Sequence, residues 1–368
     1  MRRRSLDTPH PLGVFAEDDL AALVAAETIT LSAQCGECQI QPASFDLTLG
    51  QRAWRIRAAF LPGPARSVKS CLDEGLGLHV LDLTDGAVLE TGCVYLVELR
   101  EGLALPPTLS ARANPKSSTG RIDVFVRLVT DDGTAYDEVP AGYTGPLYAE
   151  VSPRTFSIVV RPGSSLNQLR IRHGETRLSD EALGERARRE DLTGPRHHGH
   201  IHQGLCVSVD LSGDLGPVAA WRAKKHTGLI DVDRVAALRP EAYFDPLPVM
   251  QDQFLILDPG EFYILASQEE LRLPDDLAAE MAPIDADLGA FRVHYAGFFD
   301  PGFGLEAPSR AVLEVRGYDA PFLIRHGQTM ARLTFERLTR PVSRRYGEAL
   351  KSHYHGQGLR LSKHFAAP

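Results

Sequence analysis

Residues 88–111, VLETGCVYLVELREGLALPPTLSA, return 168 positions later as ILDPGEFYILASQEELRLPDDLAA at 256–279. The two stretches align without gaps. Nine of the 24 positions are identical, among them Gly92/Gly260, Tyr95/Tyr263, Pro106/Pro274 and Leu109/Leu277. At a shift of 164, Glu150-Val151 matches Glu314-Val315, and Arg161-x-Gly163 matches Arg325-x-Gly327. At that same shift SFDLT (44–48) matches SVDLS (208–212). Three segments in one order at nearly one shift indicate a tandem duplication. The expected organisation is a first copy at 1–171, a linker at 172–203, a second copy at 204–340 and a C-terminal tail at 341–368.

Within each copy the pattern is short runs rich in Val, Ile, Phe and Tyr, broken by Gly and Pro, as in GCVYLVEL, TFSIVVRPG and QFLILDPGEFYIL. Such runs read as strands bounded by turns, so the fold is expected to be mainly β. FAEDDLAALVAAE (15–27) is a helix candidate with an acidic first turn. SDEALGERARREDLTG (179–194) reads as a solvated helix or part of the linker.

Length and composition suit a folded protein of about two domains: 368 residues, 43% hydrophobic and 24% charged. No apolar run reaches the length of a membrane span, and MRRRSLDTPH lacks the apolar core of a secretory signal. A net charge of −8 argues against a general nucleic-acid binder, so an anionic small ligand needs a local basic pocket. The five scattered cysteines (35, 38, 71, 93 and 206) do not suggest a disulfide framework, which fits the cytoplasm. Cys35 and Cys38 form a lone CxxC with no second pair to complete a zinc site. RHHGHIHQG (196–204) is either a metal-binding run or a polar linker, and its place between the copies favours the linker. Trp54-Arg55 and Trp221-Arg222 occupy corresponding regions and are expected to pack.

The copies differ where chemistry could reside. The first carries KSSTGR (116–121), and the matching place in the second is PIDADLGA (283–290). Backbone N–H groups, two serine hydroxyls, Gly120 for close approach, and the cations Lys116 and Arg121 make a competent oxyanion site. A polar turn between strands has the same composition, so both readings stand on spacing alone. The second copy has HYAGFFDPGFG (294–304) where the first has TDDGTAYDEVPAGYTG (130–145). Glu150 and Glu314 lie amid strand-like apolar residues, as half-buried acids suited to proton transfer or as structural hydrogen-bonding groups.

In combination these residues resemble the dCTP deaminases of the trimeric dUTPase superfamily. Ser117, Ser118 and Arg121 match the family's Arg-Ser-Ser-x-x-Arg, with Lys116 in place of the first arginine. Gly297-Phe298-Phe299-Asp300-Pro301-Gly302-Phe303 approximates its His-x-x-Asp-Pro-Gly-Trp region, and the family's catalytic glutamate falls on Glu150 and Glu314. Tyr346, His353 and Gln357 have the spacing of its tail, with His353 in place of a lysine.

The resemblance implies two tandem dUTPase-like domains, each a distorted β-barrel or jelly-roll with a few short helices. It implies hydrolytic deamination of dCTP by a glutamate-activated water without a protein-bound metal, Mg²⁺ arriving on the triphosphate. It also implies a homo-oligomer with active sites at interfaces. The expected catalytic set is Glu314, Glu150, Ser117 and Arg121. The expected nucleotide contacts are Lys116, Ser117, Ser118, Arg121, Ala296, Asp300, Tyr346, His353 and Gln357. A composite site is expected, joining Ser117, Ser118 and Arg121 of one copy to Ala296, Asp300 and Glu314 of the other, with Glu150 vestigial, structural or in a second site.

Zinc-dependent deamination needs H-x-E followed by P-C-x-x-C. Only Cys206 follows His173-Gly174-Glu175, so the zinc route is not expected. A dUTPase or a bifunctional deaminase–dUTPase is the alternative on the same fold, although a pure dUTPase's glycine-rich tail is missing. A non-catalytic nucleotide-binding regulator is the other alternative.

Overall fold

The computed structural model describes residues 11–36, 39–194, 199–282, 291–293, 297–347, 354 and 356–367. Strands dominate and helices are few and short. In the first copy an antiparallel sheet runs Gly13–Val14, Asn167–His173, Leu109–Pro115 and Glu138–Val139, with Phe45–Leu47 also paired to Asn167–His173. A second sheet runs Gly77–Asp82, Leu49–Ile56, Val94–Ala104, Thr144–Pro153 and Val124–Thr130. The second copy repeats the plan. Leu205–Ser208, Thr329–Arg337, Leu277–Ala282 and Phe298–Phe299 form one sheet. Phe244–Pro248, Val218–Ala223, Phe262–Leu271, Ser309–Gly317 and Phe291–Val293 form the other.

Strand Val94–Ala104 shows why these segments fold as strands. Side chains alternate between faces. Tyr95 and Val97 enter one core cluster, while Leu96 enters another on the opposite face. Burial on both faces explains the apolar start Val94–Val97, and the charged Glu98 and Arg100 follow where burial is only partial.

The duplication is visible atom by atom. Gly92 and Gly260 have φ of 73° and 71°, values that favour glycine at both turns. The Tyr95 hydroxyl accepts from Glu90 N–H at 3.1 Å, and the Tyr263 hydroxyl accepts from Asp258 N–H at 3.0 Å. Glu150 lies opposite Leu96 and Glu314 opposite Ile264, so the two glutamates hold one register. Trp54 and Trp221 also correspond, opposite Leu96 and Ile264 from the other side, and Trp221 is buried.

One sequence match is corrected. Leu49 N–H donates to Ser164 O and Gly163 N–H to Leu49 O, while Val209 N–H donates to Gln328 O and Gly327 N–H to Val209 O. Leu49 therefore corresponds to Val209, a shift of 160 rather than the 164 that pairs SFDLT with SVDLS. Thr48 and Ser208 are the equivalents. The backbone N–H and hydroxyl of Thr48 donate to Glu101 at 2.9 and 2.6 Å, and those of Ser208 donate to Glu269 at 2.9 and 2.6 Å. A slip of four residues leaves every side chain on its own face, so strand alternation cannot reveal it. With the register corrected, Asp46 is matched by Cys206 and not by Asp210, which makes Asp46 particular to the first copy.

The helix expected at 15–27 spans Glu17–Ala25. Its acidic residues are tertiary anchors. Glu17 accepts from Ser343 N–H, the Ser343 hydroxyl and Arg344 N–H at 2.8, 2.6 and 3.0 Å, and Asp19 accepts from the Thr339 hydroxyl at 2.7 Å. Within the stretch read as a linker, Asn167–His173 is still a strand at residues 172–173, and Asp180–Arg189 is a helix with Leu183 buried. The Ser179 hydroxyl caps that helix by accepting from Ala182 N–H at 3.2 Å.

The copies pack on each other. One core cluster mixes Tyr95, Val151 and Ile158 with Trp221, Phe244 and Val312. Strand Ile158–Val160 pairs in parallel with Ile230–Asp231 of the second copy. Fully buried Arg170 of the first copy reaches Glu280 at 2.8 Å and also pairs with Glu336, both in the second copy. Among the described residues, no helix is long and apolar enough to cross a membrane.

Candidate active site

A cavity of about 320 Å³ opens at this junction. The first copy contributes Asp46, Lys116, Ser117, Ser118, Arg121 and Gln168 to its wall. The second contributes Phe298, Phe299, Asp300, Phe303, Val312 and Glu314. The tail adds Tyr346, Tyr354, Gln357 and Lys363.

KSSTGR folds as a short helical turn, Ser117–Gly120, starting where strand Leu109–Pro115 ends. The turn leaves Arg121 buried at 3% exposure. Its Nη2 donates to Gln357 Oε1 at 2.8 Å and its Nη1 to Arg360 O at 3.1 Å. The guanidinium lies 3.9 Å from the Tyr354 ring centroid. Its Nε is 3.8 Å from Glu314 Oε1. Gln357 Nε2 in turn donates to Arg310 O at 2.9 Å, four residues before Glu314 on the same strand, and the Ser362 hydroxyl donates to Ser118 O at 2.8 Å. Arg121 thus ties the first copy, the tail and the glutamate strand into one assembly.

Glu314 sits in the almost wholly buried strand Ser309–Gly317, and its Oε2 has no hydrogen bond among the described residues. Burial raises its carboxyl to about 7, against the lowering charge of Arg121. Asp300 is likewise raised to about 7, chiefly by burial, with the Asp46 charge adding to the rise. Ala43 N–H donates to Asp300 Oδ1 at 3.2 Å, so the first copy helps to hold this second-copy residue. Tyr346 is pushed above the ordinary phenol range by burial and then by Asp300. Its ring centroid is 5.7 Å from that of Phe303. Lys116 is ion-paired with Asp46.

The structure therefore brings together Lys116, Ser117, Ser118, Arg121, Asp300, Glu314, Tyr346 and Gln357. Glu150 does not line this cavity. It is equally buried, but Oε1 accepts from Arg127 and Oε2 from the Tyr136 hydroxyl at 3.2 Å, an arrangement internal to the first copy. Ala296, His353, Cys38, His197, His198 and the 283–290 segment lie outside the described residues. The site joins two copies of a single chain, both of which line its described wall. Asp46, Gln168, Tyr354 and Lys363 are wall residues that sequence reasoning passed over. The signal for Asp46 was its absence from the second copy, which the misregistered match concealed.

Chemically, the cavity offers aromatic and aliphatic surface for a planar ring, several cations for an anion, and a buried acid that exchanges a proton near neutrality. Two family models match the chain. One, described as the 2′-deoxycytidine 5′-triphosphate deaminase N-terminal domain, covers residues 11–175, and the C-terminal-domain model covers 179–365. The crystal structure of 2′-deoxycytidine 5′-triphosphate deaminase from Agrobacterium tumefaciens is 47% identical, with a TM-score of 0.86 over 90% of this chain and 100% of that one. A Methanosphaera stadtmanae protein named "dCTP deaminase, dUMP-forming" is 33% identical over 128 residues, 33% of this chain and 63% of that protein. A Streptomyces coelicolor protein of the same name is 36% identical over 113 residues, 29% of this chain and 56% of that protein. The match thus spans somewhat over half the length of these two relatives.

Proposed function

The chain belongs to the 2′-deoxycytidine 5′-triphosphate deaminase family, and from that premise we propose that it deaminates dCTP with Glu314 as the proton-transfer group. The observation that carries the assignment is the position of Glu314: a buried carboxyl near neutrality, beside Arg121 and facing a cavity walled by both copies and the tail.

In this reading the cytosine ring packs against the Phe298, Phe303 and Val312 surface. Glu314 takes a proton from water, and the resulting hydroxide bonds to C4. Glu314 returns that proton to the 4-amino group, the C4–N bond breaks, and ammonia leaves. The net change is dCTP plus water to dUTP plus ammonia. A positioned acid/base group of this kind contributes roughly 10²–10⁴-fold. Ser117, Ser118 and Arg121 hold the water and the base. Lys116, Asp300, Tyr346 and Gln357 hold the sugar and the triphosphate, which enters as its Mg²⁺ complex. Each copy is taken as a dUTPase-like distorted barrel, with the 341–368 tail closing the cavity.

The relatives' name favours a second reading, in which the same cavity also releases pyrophosphate and the product is dUMP. Incubation with dCTP and, separately, with dUTP decides between them, with ammonia and pyrophosphate both measured. Ammonia alone from dCTP supports deamination to dUTP. Ammonia and pyrophosphate in equal amounts support the dUMP-forming reading. Pyrophosphate from dUTP without ammonia from dCTP marks a dUTPase, and neither product leaves a nucleotide-binding regulator.

A further inference from the structure

The backbone around Lys363 is tied down on every side. Its N–H donates to the Tyr354 hydroxyl at 3.0 Å, and its carbonyl accepts from Ala236 N–H at 2.9 Å. Just before it, the Ser362 hydroxyl holds Ser118 O. Just after it, His364 Nδ1 is 3.0 Å from Arg234 O, and Phe365 packs edge-on against Tyr243 and Phe244 at centroid distances of 5.4 Å. The main chain is therefore a fixed platform.

The side chain it presents is not tied down. Lys363 is half-buried and lines the cavity, yet its ammonium forms no hydrogen bond or ion pair among the described residues. The two carboxylates whose charge reaches it are already engaged, Asp46 with Lys116 and Asp233 with Arg161 and the Ser164 hydroxyl. Burial and the nearby Lys116 ammonium both hold the Lys363 amine below the ordinary lysine range. Asp46, Asp300 and Glu314 share the cavity wall with Lys116, Arg121 and Lys363. Asp46 is engaged by Lys116, and burial raises the Asp300 and Glu314 carboxyls to about 7, so the Lys363 ammonium is not fully offset there. An oxyanion in the cavity would offset it.

We propose that the Lys363 ammonium binds a phosphate oxygen of a nucleotide polyphosphate, jointly with Lys116, in the cavity that contains Glu314. The ligand identity rests on the deaminase reading above. The cation's role rests on the geometry of the tail.

The test uses the full chain with Lys363→Met and Lys363→Arg. Inorganic tripolyphosphate binding is followed by calorimetry, and ammonia release from dCTP by steady-state kinetics. The expected outcome for Lys363→Met is a rise of about tenfold in both the tripolyphosphate Kd and the KM for dCTP, with kcat within about twofold. Lys363→Arg stays close to the parent, and inhibition by deoxycytidine, which has no phosphate, is unchanged. The proposal is overturned by a parent chain that does not bind tripolyphosphate. It is also overturned by a Lys363→Met chain that binds tripolyphosphate as the parent does, or by a Lys363→Arg chain as impaired as Lys363→Met. A parent chain that binds tripolyphosphate but releases no ammonia refutes the deaminase reading alone, and the titration still decides the role of Lys363.

Discussion

Arg121 Nε stands 3.8 Å from Glu314 Oε1 across the junction of the two copies, and among the described residues neither Arg121 Nε nor Glu314 Oε2 has a hydrogen bond. Buried polar atoms are usually satisfied, so a facing pair left open is where a bound water or substrate would fit. Glu150, at the equivalent place in the first copy, has both oxygens engaged by Arg127 and Tyr136.

The contrast separates the two glutamates experimentally. Glu314→Gln should lower kcat for ammonia release by about 10²-fold or more, with the fold intact. Glu150→Gln should leave kcat within a fewfold but lower stability by about 1–3 kcal/mol, because buried hydrogen bonds to a charged group are weakened. Kinetics paired with urea unfolding checks both. Full activity in Glu314→Gln alongside its loss in Glu150→Gln would reverse the assignment.

The Glu314 carboxyl near 7 has consequences for rate and for stability. A general base must be ionised in the free enzyme, so kcat/KM for dCTP should fall as pH drops below about 7. Stability moves the opposite way. The folded value lies above the ordinary 4.5, so the folded state binds the proton more tightly. Stability is then greatest below the unfolded value and declines as pH rises towards the folded one. Glu314→Gln escapes this decline. It should be stabilised relative to the parent by roughly 1–3 kcal/mol at alkaline pH and by little at acid pH. Unfolding curves at both extremes decide it, and a gain confined to acid pH would contradict the sign.

Arg170 is the buried cation that joins the copies through Glu280 and Glu336. Arg170→Met leaves two buried carboxylates short of a partner and should cost about 3–5 kcal/mol, read from denaturant midpoints. A loss below about 1 kcal/mol would show that Arg112 and Arg172, which also pair with these glutamates, suffice.

Gly304 ends the loop carrying Asp300 and Phe303. A Cβ there would meet Leu271 O at 1.8 Å, and φ is 75°. Gly304→Ala should therefore displace the loop, costing about 1–3 kcal/mol and raising KM for dCTP. Gly260 has a similar φ of 71° but open space around it, so Gly260→Ala should cost about 1–2 kcal/mol and leave KM unchanged. Equal effects on KM from the two substitutions would remove the loop from the site.

The sequence by itself determined the strand-rich class and the duplication, because turn glycines and apolar runs recur with local periodicities that a linear reading detects. It also marked Ser117, Ser118, Arg121, Asp300 and Glu314 as candidates, where the copies diverge or carry polar groups amid apolar runs, and Tyr346 and Gln357 through the tail spacing of the family it resembles. It did not determine the register of Phe45–Leu47, since alternation of period two is blind to an even slip. It preferred Glu314 to Glu150 only through the second copy's Asp300-Pro301-Gly302 region and the tail, because the two glutamates occupy one strand position. Only the tertiary structure decided the surroundings of each glutamate, because burial and free lone pairs depend on what packs across the junction: Arg127 and Tyr136 close on Glu150, while Glu314 faces Arg121 and an open cavity. Asp46 and Lys363, 317 residues apart in the chain, became neighbours in one wall only when the second copy and the tail folded back onto the first.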